Sequence, residues 1–171
     1  SIGADGFAPA RRVPTPKDDR DGPAIVFADV TETIHLADMS GDGLVDLVRI
    51  RNAEVSYWPS LGYGRVGKKV TLDGVTRFDT PEQFEPARIH LADIDGSGTT
   101  DIVYLGREGA RVYFNRSGNA LSPPLLVRAV PPADGFATFS VLDLLGHGTA
   151  CLVWSSTTPA RATRPLTYVD L

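Results

Sequence analysis

Residues 90–103 read HLADIDGSGTTDIV. An apolar lead runs into nine residues, 93–101, whose oxygen-bearing side chains fall at odd places: Asp93 first, Asp95 third, Ser97 fifth and Asp101 ninth. Gly98 is sixth, where a tight loop asks for a positive φ that glycine adopts without strain. Ile102, Val103, Tyr104 and Leu105 then restore an apolar run. The local reading is strand, acidic loop, strand.

The pattern recurs. Residues 35–48 read HLADMSGDGLVDLV, which puts Asp38, Ser40, Asp42 and Asp46 in the same four places and Gly43 sixth. Residues 140–153, SVLDLLGHGTACLV, keep Asp143, Gly146 and Gly148 but carry Leu145, His147 and Cys151 at the third, fifth and ninth places. Self-similarity at this spacing indicates a repeat architecture. Short apolar runs flank every loop, so strands are expected at 25–28, 33–37, 45–50, 55–58 and 69–72 in a first repeat (25–80). The second repeat (81–132) is expected to hold strands at 89–92, 102–105, 112–115 and 125–130, and the third (133–171) at 138–142, 151–154 and 166–169. No stretch shows a helical period. Short strands with polar turns between them imply an all-β fold of β-propeller blades, about three four-stranded repeats making one partial propeller domain. Residues 1–24, rich in Pro, Gly, Asp and Arg, read as loop; residues 2–7 resemble the turns that close the first two repeats, at 61–66 and 117–122, and so read as the tail of a preceding blade. That makes the chain an expected fragment of something longer.

At 171 residues the chain is long enough for a real core. Its net charge of −4 is local, because six of the 21 acids lie in the first two loops. No basic stripe suggests nucleic acid, and no apolar run is long enough to span a membrane. Cys151 is the single cysteine, which excludes an internal disulfide.

Alternating carboxylates and hydroxyls around a glycine turn suit a hard cation, and calcium takes six to eight oxygens. The expected ligands are Asp38, Ser40, Asp42 and Asp46, with the backbone carbonyl of Leu44, and Asp93, Asp95, Ser97 and Asp101, with that of Thr99. The alternative is that these side chains bond their own backbone in Asx-turns and need no ion. His35 and His90 occupy equivalent strand positions and read as structural. His147 and Cys151 lie four apart but lack a visible orienting third group, so they do not make a nucleophile. Tyr57 and Trp58, Tyr113 and Phe114 (matched at an offset of 56), and Trp154 are expected as core or inter-blade aromatics. No Ser-His-Asp spacing, phosphate loop or zinc motif is present, and no enzymatic activity is expected.

The acidic loops resemble the integrin-α-type FG-GAP/VCBS repeat, Asp-x-Asp-x-Asp-Gly-x-x-Asp between two strands, with Ser40 and Ser97 each replacing one Asp. A longer resemblance rests on HLADMSGDGLVDLVRIRN, YWPSLGYG, RIHLADIDGSGTTDIVYLG and LLGHGTACLVWSS: these are similar to the middle/N-terminal region of the insecticidal toxin-complex B component and of Salmonella-plasmid-virulence-B-like proteins. The resemblance implies a secreted bacterial virulence protein. Its propeller would dock the cocoon formed by the B and C components onto the pore-forming A component and gate passage of the payload. No docking residue carries over. A calcium-dependent adhesion or carbohydrate-binding propeller, with Tyr63 as an exposed platform, is the other reading. With about three repeats and incomplete terminal blades, the isolated chain is also expected to pair with a second copy.

Overall fold

The computed structural model describes residues 2–3, 6–7, 9–10, 12, 16–23, 29, 31–130, 137–156 and 166–171. Among them there is no α-helix, only a single 3₁₀ turn at Pro86–Arg88. A two-stranded ribbon comes first, from β1 (Ile2–Gly3) and β2 (Gly6–Phe7). Three larger antiparallel sheets follow. The first holds β3 (Glu32–Ala37), β4 (Asp46–Arg51), β5 (Glu54–Trp58) and β6 (Val70–Thr71) in sequence order. The second holds β7 (Ile89–Ala92), β8 (Asp101–Gly106), β9 (Gly109–Tyr113) and β12 (Leu125–Val127). A small ribbon of β10 (Asn115–Arg116) and β11 (Ala120–Leu121) interrupts it. The third holds β13 (Ala137–Leu142), β14 (Cys151–Ser156) and β15 (Leu166–Asp170).

Register makes the three sheets equivalent. Val48 lies between His35 and Tyr57, Val103 between His90 and Val112, and Val153 between Ser140 and Tyr168. Directly paired residues share a face, and neighbours along a strand point to opposite faces. The central strand of the second sheet, β8, therefore sends alternate residues to two different cores. From β8, Ile102 and Tyr104 join Val48, Ile50 and Tyr57 of the first sheet in one apolar cluster. Val103 and Leu105 join Leu152 and Trp154 of the third sheet in the other. Every residue of β8 is buried as a result, which is why that strand reads as a continuous apolar run without alternation. Phe78 reinforces the first core from the connection between sheets, meeting Tyr113 edge-on at 5.1 Å.

The face of the first sheet turned away from the second is closed by residues 18–21. Trp58 Nε1 donates to the Asp19 carbonyl at 2.8 Å, and both terminal nitrogens of Arg49 donate to the Asp19 carboxylate at 2.6 and 3.0 Å. The Arg49 guanidinium lies 5.0 Å from the Trp58 ring centroid, and Lys69 Nζ bridges Asp19 and Glu54 at 3.1 Å each. This part of the stretch expected as loop is pinned against a sheet.

Several expectations need correction. The expected strand at 25–28 lies outside the described residues. The third strand of the second repeat ends at Tyr113 rather than 115, because the Asn115 amide turns away to the Asp101 carboxylate. Strand 125–130 stops at Val127. Tyr113 pairs with Ile102 as Trp58 pairs with Leu47, so the aromatics match at an offset of 55: Tyr113 stands where Trp58 stands, and no residue is inserted before them.

Candidate cation-binding loops

Each acidic loop is shaped by its first aspartate. Asp38 accepts the amides of Gly41 and Gly43 at 2.7 and 2.8 Å, and Asp93 those of Ser97 and Gly98 at 3.0 and 2.9 Å. Asp143 accepts Gly146, His147 and Gly148 at 2.6, 3.3 and 2.9 Å, and these bonds hold its carboxyl below the usual carboxylate range. The sixth-place glycines Gly43, Gly98 and Gly148 have φ of 83°, 87° and 90°. The degenerate third loop thus keeps the shape of the other two because it keeps this aspartate and these glycines.

The ninth aspartate has a different task. Asp46 is fully buried and accepts the amides of Met39, Ser40 and Ser60 at 3.0, 3.2 and 2.8 Å. Asp101, equally buried, accepts those of Ile94 and Asn115 at 2.9 and 2.7 Å. Each ties its loop to the chain leaving the third strand. Burial pushes the Asp101 carboxyl up to about 6, against two stabilising amides and with the charges of Asp95 and Asp93 adding to the rise.

The remaining expected ligands are placed as follows. Ser40 Oγ lies 3.5 Å from Asp38 Oδ1, and exposed Asp42 accepts the Leu44 amide at 2.8 Å while the Leu44 side chain faces solvent. Asp95 is exposed and accepts the Ser97 amide at 3.0 Å. Ser97 Oγ lies 3.0 Å from Thr99 Oγ1, which also donates to the Asn115 carbonyl at 3.3 Å. Carboxylate oxygens of Asp93, Asp95 and Asp101 all lie within 4.8 Å of one another, and among the described residues this is the single such group of three. The first loop brings no such trio together. A serine at its third place, where the second loop has Asp95, accounts for the difference. Three converging carboxylates, one of them buried, are a chemically fitting seat for a hard divalent cation.

Adjacent loops stack. The Thr100 amide donates to the Asp38 carbonyl at 2.8 Å, and a side chain on Gly41 would meet Thr99 at 2.9 Å. Asn115, which sequence reasoning did not single out, staples the first two loops: its Nδ2 donates to the Met39 and Thr100 carbonyls at 2.9 and 3.1 Å. Its counterpart in the first repeat is Ser60, so no repeat signal marks it. Tyr63 is fully exposed, as expected for a platform, and holds a positive φ of 55°.

No family model matches the chain, and no curated protein matches it. Solved structures do. A crystal structure of TcdB2-TccC3 without its hypervariable C-terminal region is 34% identical over 75% of this chain, with a TM-score of 0.69. The TcdB2-TccC3-Cdc42 crystal structure is 31% identical over 83%, with a TM-score of 0.73. This chain is similar to a segment of a toxin-complex protein. The Photorhabdus luminescens Tc holotoxin pore, at 32% identity over 82% of this chain and a TM-score of 0.69, extends the toxin-complex likeness to an assembled pore. In each case the chain spans 6% of the length of the toxin-complex chain it matches. An Agrocybe aegerita lectin that recognises non-reducing terminal N-acetylglucosamine matches at 23% identity over 74% of this chain and 33% of its own, with a TM-score of 0.63. That is a likeness of fold.

Proposed function

We propose that this chain supplies three consecutive blades of the propeller of a toxin-complex B-type component, a non-enzymatic module that docks the toxin cocoon to the translocation pore and gates the payload. Supporting the toxin-complex reading is the likeness to TcdB2-TccC3 chains over most of the sequence. The observation that carries the propeller reading is the exposure, on β15, of two residues whose register equivalents in the first two sheets are buried. Tyr57, Val112 and Tyr168 are equivalent by register; the first two are 5% and 1% exposed under the next sheet, whereas Tyr168 is 47% exposed. Leu166, equivalent to buried Val55 and Ala110, is exposed too. A fourth sheet packed as the second packs on the first would bury both.

In this reading the loops are FG-GAP/VCBS-type, the second loop holds calcium through Asp93, Asp95 and Asp101, and the protein acts outside the bacterial cell. The ion would cancel the mutual repulsion of these carboxylates and lock the loop that stacks between its neighbours. A carbohydrate-binding propeller is the competing reading, favoured by Tyr63 alone. Immobilised chain tested against a pore-forming A component and a glycan array separates the two. Capture of the A component without glycan binding supports docking; saturable glycan binding lost in Tyr63→Ala overturns it.

A further inference from the structure

The first sheet differs from the other two on the face it turns away from the second. Arg49, Tyr104 and Trp154 are equivalent by register, pairing with Ile34, Ile89 and Phe139. Tyr104 and Trp154 lie in the apolar clusters that the second and third sheets share with the sheet before them. There they meet apolar residues such as Val48 and Ile50, or Val103 and Leu105. Arg49 puts a cation at the same place, 5% exposed. A buried charge needs a partner, which an apolar face would not supply.

A short acidic segment supplies it instead. The Asp19 carboxylate accepts both terminal nitrogens of Arg49 at 2.6 and 3.0 Å and Lys69 Nζ at 3.1 Å. The main chain is held as well: Trp58 Nε1 donates to the Asp19 carbonyl at 2.8 Å, and the Lys69 amide to the Arg20 carbonyl at 2.9 Å. Lys68 pairs with Asp21. A cleft lined by Asp18, Arg20, Lys68, Lys69 and Thr71 opens beside the segment. We propose that this face is a docking site for an acidic peptide segment of a partner protein, filled in cis by residues 18–21.

Three features carry the assignment. Two cations converge on one carboxylate, and the two-pronged arginine pair is the geometry of specific carboxylate recognition. The two carbonyl contacts fix the backbone of the bound segment whatever its other side chains are, as in peptide-binding grooves. The cis segment, finally, is a weak occupant. Residues 18–21, Asp-Asp-Arg-Asp, are exposed and bring no apolar side chain to bury. Ion pairs to a half-exposed carboxylate add little net stability and weaken with salt. Arg49 Nε, buried and without an acceptor among the described residues, is a donor the cis segment leaves unused.

The probe is a fluorescein-labelled peptide of residues 16–23, PKDDRDGP, titrated into the whole chain and followed by anisotropy. The parent chain should bind it poorly, because the tethered segment competes at an effective concentration of about millimolar. Asp19→Lys sets a cation against Arg49 and Lys69, so it should free the face and tighten peptide binding about tenfold or more. Binding should fall as salt rises and vanish when the peptide carries Asn at the Asp19 place. Arg49→Tyr, which copies the second sheet, should abolish it in the Asp19→Lys chain. Should Asp19→Lys misfold, unlabelled peptide at roughly 5 mM, above that effective concentration, should shift the amide resonances of residues 18–21 in the isotope-labelled parent chain as it displaces them. A folded Asp19→Lys chain that shows no saturable binding overturns the proposal. Binding that survives Arg49→Tyr or the Asn peptide does so too, as do unmoved resonances in the parent chain.

Discussion

In calcium-free buffer, Asp101 should make the folded protein less stable as the pH rises from about 4 to about 6. Its carboxyl titrates near 6 when folded, against a reference value of 3.8. Burial is the first cause; the charges of Asp95 and Asp93 add to it, and the amides of Ile94 and Asn115 oppose it. A raised folded value means that the native state holds the proton more tightly. The contribution is complete below the unfolded value and is lost as the pH climbs through 6. With each tenfold difference in proton affinity between the folded and unfolded chain equal to about 1.36 kcal/mol, the loss is on the order of 3 kcal/mol. For a domain of this size that corresponds to roughly 6–12 °C in Tm. Melting curves in EDTA between pH 4 and 7, taken as the difference between the parent protein and Asp101→Asn, isolate the effect. Asp95→Asn, which removes a neighbouring charge, should flatten the slope. A difference that is constant or grows with pH would refute the reasoning, because Asp101 would then be a compensated carboxylate and the second loop would hold no excess negative charge.

Saturating calcium at pH 7 should raise Tm, by roughly 2.7 kcal/mol of stability at a hundredfold excess over Kd; isothermal titration should show the binding lost in Asp95→Asn and largely kept in Asp42→Ala, and heat in Asp95→Asn equal to the parent would place the ion elsewhere. Asp19→Asn leaves buried Arg49 with Glu54 as its remaining ion-pair partner and should cost about 1–2 kcal/mol near neutral pH, discounted for the half-exposed carboxyl. The Arg49 hydrogen bonds hold Asp19 down to about 2, so this contribution is full above about 4 and fades as the pH falls towards 2; urea titrations at pH 7 and pH 2 measure the difference. Ile102→Ala, between the first two sheets, should cost about 2–5 kcal/mol by the same assay. Light scattering of the isolated chain should show a homodimer that Tyr168→Glu converts to the 18.3 kDa monomer; a parent protein already monomeric at micromolar concentration would contradict pairing through that face.

The repeat was legible because its signals are local. Glycines at the sixth place, an aspartate at the first and apolar runs on either side specify loop and strands without help from distant residues. Periods of 55 and 50 then gave the sheets and most strand bounds. What was not legible depends on contacts across the fold. Asp46 and Asp101 look like ligands in the sequence, and each is also a buried acceptor for amides from two segments, a second task that spacing alone does not reveal. The two loops look equally acidic, but the third-place residue, Ser40 or Asp95, decides whether three carboxylates meet. Asp170 lies 19 residues from Cys151 and becomes its neighbour only through strand pairing, so the sequence shows no third group beside His147 and Cys151. Asn115 staples two loops through side-chain bonds that its repeat partner, Ser60, has no amide to make.

The central claim, that these sheets are consecutive blades of a toxin-complex-type propeller, is tested most directly by cryo-electron microscopy of the assembled toxin-complex-type protein carrying this segment. The account predicts the three sheets arranged around one axis, with Tyr168 and Leu166 buried under a fourth sheet as Tyr57 and Val55 are buried under the second. A map in which the outer face of the third sheet stands open to solvent, or meets something other than a blade, would contradict it.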